Sequence, residues 1–123
     1  MYNSIVRDHF SNPRNVGEID NPDRTGYAKN SADGDIVQLH LKIENNRIKD
    51  IRMKVMGCVA AIASASLLTE WVKGMSIEKA HSITREQLND KLGGLPEQKI
   101  RCSLTCIDAL QDALKEDSAK GTS

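Results

Sequence analysis

Between residues 37 and 55 the chain alternates apolar and polar side chains twice over, and this constrains the fold more than any other feature. Val37, Leu39, Leu41 and Ile43 are interleaved with Gln38, His40 and Lys42, and Ile51, Met53 and Val55 with Arg52 and Lys54. Successive side chains of a strand point to opposite faces, so a period of two predicts two half-buried strands. Glu44-Asn45-Asn46 between them supplies turn chemistry, and the pair reads as a hairpin. An apolar sheet face has to be covered, and the rest of the chain offers helices to do it.

Tyr2, Ile5, Val6 and Phe10 fall at helical spacing, and Asn12-Pro13 ends that short helix. Residues 13 to 34, rich in Gly, Asn, Asp and Pro, read as loop with one short strand near Tyr27. Gly57-Cys58 closes the hairpin, and Val59 to Lys73 reads as a helix of small residues ending at Gly74. Small side chains let such a helix lie close against its neighbour. Ser76 is placed to cap a short helix, and Thr84 with Gln87 three residues on forms a capping-box pattern for another. After Gly93-Gly94 and Pro96, a last helix is expected from Cys102 or Ser103, with Leu104, Ile107, Leu110 and Leu114 on one face. Its polar tail, 116–123, is expected to fray. The expectation is a single α+β domain spanning 1–123, with a small antiparallel sheet covered by helices on one side.

Several function classes fit this composition poorly. Lys plus Arg equals 17 and Asp plus Glu equals 17, so the excess basic charge that phosphate binding needs is missing, and neither nucleic acid nor an anionic membrane is expected as a partner. Tyr2, Phe10, Tyr27 and Trp71 are the whole aromatic complement, too few for base stacking. No apolar run reaches the roughly 20 residues of a membrane span, and Met1 to Arg14 carries no signal-peptide apolar block. A cytoplasmic home is therefore expected, where Cys58, Cys102 and Cys106 stay reduced and serve metal binding or thiol chemistry.

Cys58 falls where a strand stops and a helix starts, facing the free N–H groups and partial positive charge of a helix N-terminus, which favours thiolate. Cys102 and Cys106 lie at the start of the last helix and, four apart, project from one face. Cysteine is also a common buried small side chain, so simple packing competes for each thiol taken singly. Asp33-Gly34-Asp35 precedes the first long strand, and by itself a solvated turn explains it. Arg101 is placed to lower the pKa of Cys102. His9, His40 and His81 show no ligand spacing and read as structural or surface residues. Residue chemistry alone leads to an α+β domain with a Cys/Asp metal or thiol site.

Longer runs go further. Asp8-His9-Phe10 leading into Asn12-Pro13-Arg14-Asn15-Val16-Gly17, then Ala32-Asp33-Gly34-Asp35, then Gly57-Cys58 followed by Ala60-Ala61-Ile62-Ala63-Ser64-Ala65-Ser66, then Thr69-Glu70-Trp71-Val72-Lys73-Gly74, and finally Lys99-Ile100-Arg101-Cys102-Ser103 occur in the order seen in one family. On these runs the chain resembles the iron–sulfur scaffold family of IscU type, which also forms the N-terminal domain of NifU. The resemblance covers nearly the whole chain. It implies a scaffold and carrier without turnover catalysis, which takes sulfur from a cysteine desulfurase and iron from a donor, builds a cluster, usually [2Fe–2S], and passes it to acceptor or carrier proteins. It assigns cluster ligation to Cys58, Cys102 and Asp35, with Cys102 as persulfide acceptor.

Two ligand positions of the family are altered. Its first cysteine is Asp33 here, and the histidine of its His-Cys pair is Arg101, whose protonated guanidinium cannot ligate. Cys106 is an additional thiol, expected to replace a lost ligand, with Asp33 or Asp35 completing the set; ligands shared across a homodimer are another solution. The chaperone-recruiting Leu-Pro-Pro-Val-Lys segment of many relatives is Leu95-Pro96-Glu97-Gln98-Lys99 here. A cluster held partly by carboxylate is bound by a harder, weaker donor than thiolate, which suits a carrier that must release it. Two alternatives remain: a zinc-dependent persulfide relay for a cysteine desulfurase, with zinc in place of the cluster, and a degenerate paralogue that only binds the desulfurase.

Overall fold

The computed structural model describes residues 2–115; the tail expected to fray, 116–123, lies outside them. The hairpin is its centre. Strands β2 (Asp35–Glu44) and β3 (Arg47–Met56) run antiparallel with Leu39 opposite Met53 and Leu41 opposite Ile51. Asn45 and Asn46 join them with φ of 55° and 63°. Both are left-handed, as a two-residue turn requires to match strand twist, and Asn tolerates that region better than most residues. Strand β1 (Arg24–Asn30), longer than the short strand expected near Tyr27, pairs with the other edge of β2, giving the order β1-β2-β3.

Val37, Leu39, Leu41 and Ile51 are fully buried on one sheet face, beneath helices α2 (Val59–Val72) and α5 (Ile100–Leu114). Helix α2 is apolar or small nearly all round because it is enclosed by the sheet, by α1 (Ser4–Ser11) and by α5. Helix α5 lies across β1 and β2. It lies so near β1 that a Cβ on Gly26 would overlap the Ala109 carbonyl oxygen and come within 2.8 Å of Ala113 Cβ. Glycine inside this strand marks a close approach of two backbones.

Helix α5 starts at Ile100, two or three residues before the Cys102 or Ser103 expected. The 3₁₀ turn Glu97–Lys99 leads into it, and Lys99 N–H donates to Pro96 O at 2.8 Å. Its innermost side chains are Cys102, Cys106, Ala109 and Ala113, with Ile107, Leu110 and Leu114 beside them, whereas Leu104 is half-buried. Ala109 and Ala113 are the residues that meet β1 where Gly26 brings the two backbones together. The caps fall where the sequence suggested: Ser76 on α3 (Ile77–His81) and the Thr84–Gln87 capping box on α4 (Arg85–Lys91). The opposite sheet face is half-covered by the 12–23 loop, where Ile19 N–H donates to His40 Nδ1 at 3.1 Å.

His9 fastens α1 to α2. It is 6% exposed, its Nδ1 lies 2.8 Å from Ser66 Oγ, and Ser66 Oγ also accepts the Arg14 N–H at 2.9 Å. Burial, followed by the nearby Arg14 charge, holds the imidazole pKa below its ordinary value. The unfolded chain therefore binds this proton more readily than the folded one. The contribution is full above about pH 6.5 and is lost as pH falls through the lower, folded-state value. Urea midpoints compared between about pH 7.5 and 5 should fall less in His9→Gln than in wild type. Gly26→Ala should cost about 1–3 kcal/mol in the same assay, because the added methyl meets backbone that cannot rotate away.

Candidate metal centre

The start of β2, the end of β3 and the N-terminal ends of α2 and α5 meet at one end of the sheet, where β2, α2 and α5 each deliver one functional group. Asp35 is the first residue of β2 and is wholly buried. Gly57 follows β3 and makes room for it: a Cβ there would collide with Asp35 Oδ1 and lie 3.0 Å from its Cγ. Cys58 is the N-cap of α2 and is half-buried, and Cys102, in the first turn of α5, is wholly buried.

Asp35 Oδ1 accepts the Cys58 backbone N–H at 3.2 Å, and its Oδ2 accepts the Cys102 thiol at 3.1 Å. The two sulfurs are 3.4 Å apart. A buried carboxylate is costly unless it is hydrogen-bonded; this one sits at the N-terminus of a 14-residue helix, where partial positive charge favours an anion. One donor atom from each of Asp35, Cys58 and Cys102 lies within 4.8 Å of the others. Tetrahedral bonds of about 2.3 Å to sulfur and 2.0–2.2 Å to oxygen would separate the corners by about 3.5–3.8 Å. The Cys58–Cys102 and Cys102–Asp35 separations, 3.4 and 3.1 Å, lie within about half an ångström of that spacing, so the cluster is close to three corners of a metal site. Two sulfurs and one carboxylate suit a soft or borderline ion such as iron or zinc.

The structure does not bring Cys106 and Asp33 into that cluster. Cys106 lies one turn deeper along α5, fully buried, with its thiol directed at Ala61 O 3.6 Å away. Its pKa is raised by burial and then by the neighbouring Asp35 and Cys58. The same four-residue spacing that put it on the face of Cys102 carries it into the α2–α5 packing. Asp33 accepts Arg101 Nε on Oδ2 at 2.6 Å, Arg101 Nη2 on Oδ1 at 3.4 Å and Asn30 Nδ2 on Oδ2 at 2.9 Å. That pairing, with Arg101 as the larger influence, holds the Asp33 carboxyl below its usual range.

Cys102 departs from the electrostatic expectation. Burial, its hydrogen bond to Asp35 and the adjacent Cys58 push its pKa well above that of an ordinary thiol. Arg101 is turned toward Asp33, and the field of the helix terminus does not overcome the neighbouring carboxylate. A bound cation would reverse that balance by stabilising thiolate directly.

Three contributors escaped sequence reasoning. Gly57 could have been suspected from its place before Cys58. Lys99 lies near enough to both thiols that Cys58, first, raises its pKa. Tyr2 also borders the site: burial and then Cys58 raise the pKa of its phenol. No sequence signal ties Tyr2 to cysteines so far along the chain.

The family model of the NifU-like N terminal domain matches residues 1–122. A protein of Archaeoglobus fulgidus named iron-sulfur cluster assembly scaffold protein IscU 1 is 47% identical over 114 residues, covering 93% of this chain and 74% of its own. The Escherichia coli K12 protein named iron-sulfur cluster assembly scaffold protein IscU is 42% identical over 123 residues, covering 97% of this chain and 95% of its own. Among solved structures, the N-terminal part of a nitrogen-fixing NifU-like protein from Brucella abortus superposes with a TM-score of 0.77 at 19% identity, covering 96% of this chain and 94% of that one, a likeness of fold.

Gly57→Ala tests whether the carboxylate pocket is as tight as it looks. The methyl group should displace Asp35 from the Cys58 N–H and lower stability by about 1–3 kcal/mol in urea denaturation. Zinc affinity should fall with it, because one of the three donors is moved.

Proposed function

Since the chain belongs to the family of the NifU-like N-terminal domain, we propose that it is a scaffold on which an iron–sulfur cluster is built and then released to acceptor proteins. The observation that carries this reading is the convergence of Asp35, Cys58 and Cys102 from three separate elements onto one small volume. These three residues hold the cargo, a [2Fe–2S]-type cluster assembled from iron and desulfurase-derived sulfur. The protein acts as a carrier and not as an enzyme, alone or as a homodimer, in a reducing cytoplasm where its thiols stay free. Among the described residues no helix is long and apolar enough to cross a membrane.

Cys102 is the residue that receives sulfur. Burial and the hydrogen bond its thiol donates to Asp35 Oδ2 favour the protonated form. A cation bound beside it is what releases the proton to solvent and leaves the thiolate. The resulting thiolate attacks the outer sulfur of a persulfide on a cysteine desulfurase. A new S–S bond forms on Cys102, and the desulfurase leaves as its cysteine thiolate. Cys58, with its sulfur 3.4 Å from that of Cys102, offers the nearest second anchor for iron beside the arriving sulfur. The carboxylate of Asp35 is the hard member of a soft set, and that is the bond a departing cluster would break first.

The same two-sulfur, one-oxygen set also suits zinc, with a fourth position left open. That observation supports a second reading, a zinc-dependent persulfide relay.

Anaerobic reconstitution with ferrous iron, cysteine and a cysteine desulfurase, followed by absorption and Mössbauer spectroscopy, separates the two. The wild type should develop cluster absorption, and Cys58→Ala and Cys102→Ala should lose most of it. Asp35→Ala should change the rates of assembly and transfer, and unchanged rates would remove it from the ligand set. A colourless protein retaining stoichiometric zinc that iron does not displace would establish the relay instead.

A further inference from the structure

Two links join the β1–β2 turn to the start of α5. One is the buried contact of Cys102 Sγ with Asp35 Oδ2 at 3.1 Å. The other is the ion pair in which Arg101 Nε and Nη2 reach the two oxygens of Asp33 at 2.6 and 3.4 Å. Among the described residues no other ion pair connects these two segments. The partners are staggered by only one or two residues: Arg101 directly precedes Cys102, and Asp33 is two before Asp35. A guanidinium meeting a carboxylate through two N–H groups fixes orientation as well as distance. Asp33 is itself held by its turn, because Asn30 Nδ2 donates to its Oδ2 at 2.9 Å while Asn30 Oδ1 accepts the Ala32 N–H at 3.1 Å.

The geometry points to a positioning role for Asp33 and Arg101: their ion pair clamps the turn onto α5 and so keeps Asp35 and Cys102 together as metal donors. This inference rests on the reading of Asp35, Cys58 and Cys102 as a metal-holding site. Neither clamp residue touches the metal. The carboxylate of Asp33 is 14% exposed and its oxygens are taken by Arg101 and Asn30, whereas Arg101 is 53% exposed, so the clamp is open to screening by salt.

The sign of the Arg101→Gln effect separates a clamp from two other roles for Asp33. If Asp33 were a ligand, Arg101→Gln would free it, and zinc would bind more tightly. If the two residues acted only through their charges, Asp33→Asn would weaken binding of the cation and Arg101→Gln would strengthen it. A clamp requires both substitutions to weaken binding.

The test is zinc affinity of the full chain, measured anaerobically at fixed pH by competition with a chromophoric chelator. At low salt, Asp33→Asn and Arg101→Gln should each weaken zinc about three- to fivefold, the range expected for a partly exposed ion pair. Combining them should cost no more than either alone, since one interaction is removed in all three variants. Reversal of the pair, Asp33→Arg with Arg101→Asp, should restore most of the loss. At about 0.5 M salt the gap between wild type and the single variants should narrow.

Tighter binding in Arg101→Gln, additive losses in the double variant, or single variants equal to wild type at low salt would each overturn the clamp while leaving the metal site standing. A wild type that binds neither zinc nor iron would overturn the metal-holding reading, and the clamp with it.

Discussion

The buried carboxylate of Asp35 is the interaction around which this site is arranged. It is removed from water, and the protein compensates with the backbone N–H that opens α2 on one oxygen and the thiol in the first turn of α5 on the other. Both partners belong to other elements, so Asp35 can be satisfied only when β2, α2 and α5 have docked together. Leaving such a group unpaired costs far more than pairing it gains. That asymmetry makes the end of the sheet where the site lies a place that tolerates one arrangement and few others.

Close packing makes the arrangement possible. Gly57 leaves the volume in which the Asp35 side chain lies, and Gly26 lets α5 settle against β1 so that its first turn arrives at the same end of the sheet. Helix α2 carries Ala60, Ala61, Ala63 and Ala65 as fully buried residues, which brings its axis near its neighbours. Cys106 belongs with this packing: its thiol is enclosed between α2 and α5 and directed at the Ala61 carbonyl. Two cysteines on one helix face thus have different surroundings, since one lies at the helix mouth and the other a turn inside.

The protonation state of the site follows from the same geometry. Without a cation, a carboxylate and two sulfurs crowd one small volume, and Cys102 is favoured as a thiol that donates to Asp35. A metal ion would replace that thiol proton and convert the hydrogen-bonded groups into a donor set. Lys99 and Arg101 at the rim provide positive charge close to that set. A scaffold has to hold its cargo and later let it go, and a mixed set with one hard donor suits both demands.

Much of the fold was legible in the chain because it rests on local chemistry. The period-two alternation of Val37 to Ile43 and Ile51 to Val55, the Asn45-Asn46 turn, the caps at Ser76 and Thr84 and the small-residue helix from Val59 each depend on neighbours in sequence, and the family follows from motifs in order. The three-donor cluster was legible only through that resemblance, since no spacing links Asp35 to Cys58 or Cys102. What the tertiary structure alone decided is which polar groups are spent on one another: Asp33 on Arg101, Cys106 on the α2–α5 core, and Gly57 on making room for Asp35. Those choices lie between residues up to 68 positions apart. They are set by where docked elements place their ends, which no local pattern of side chains encodes.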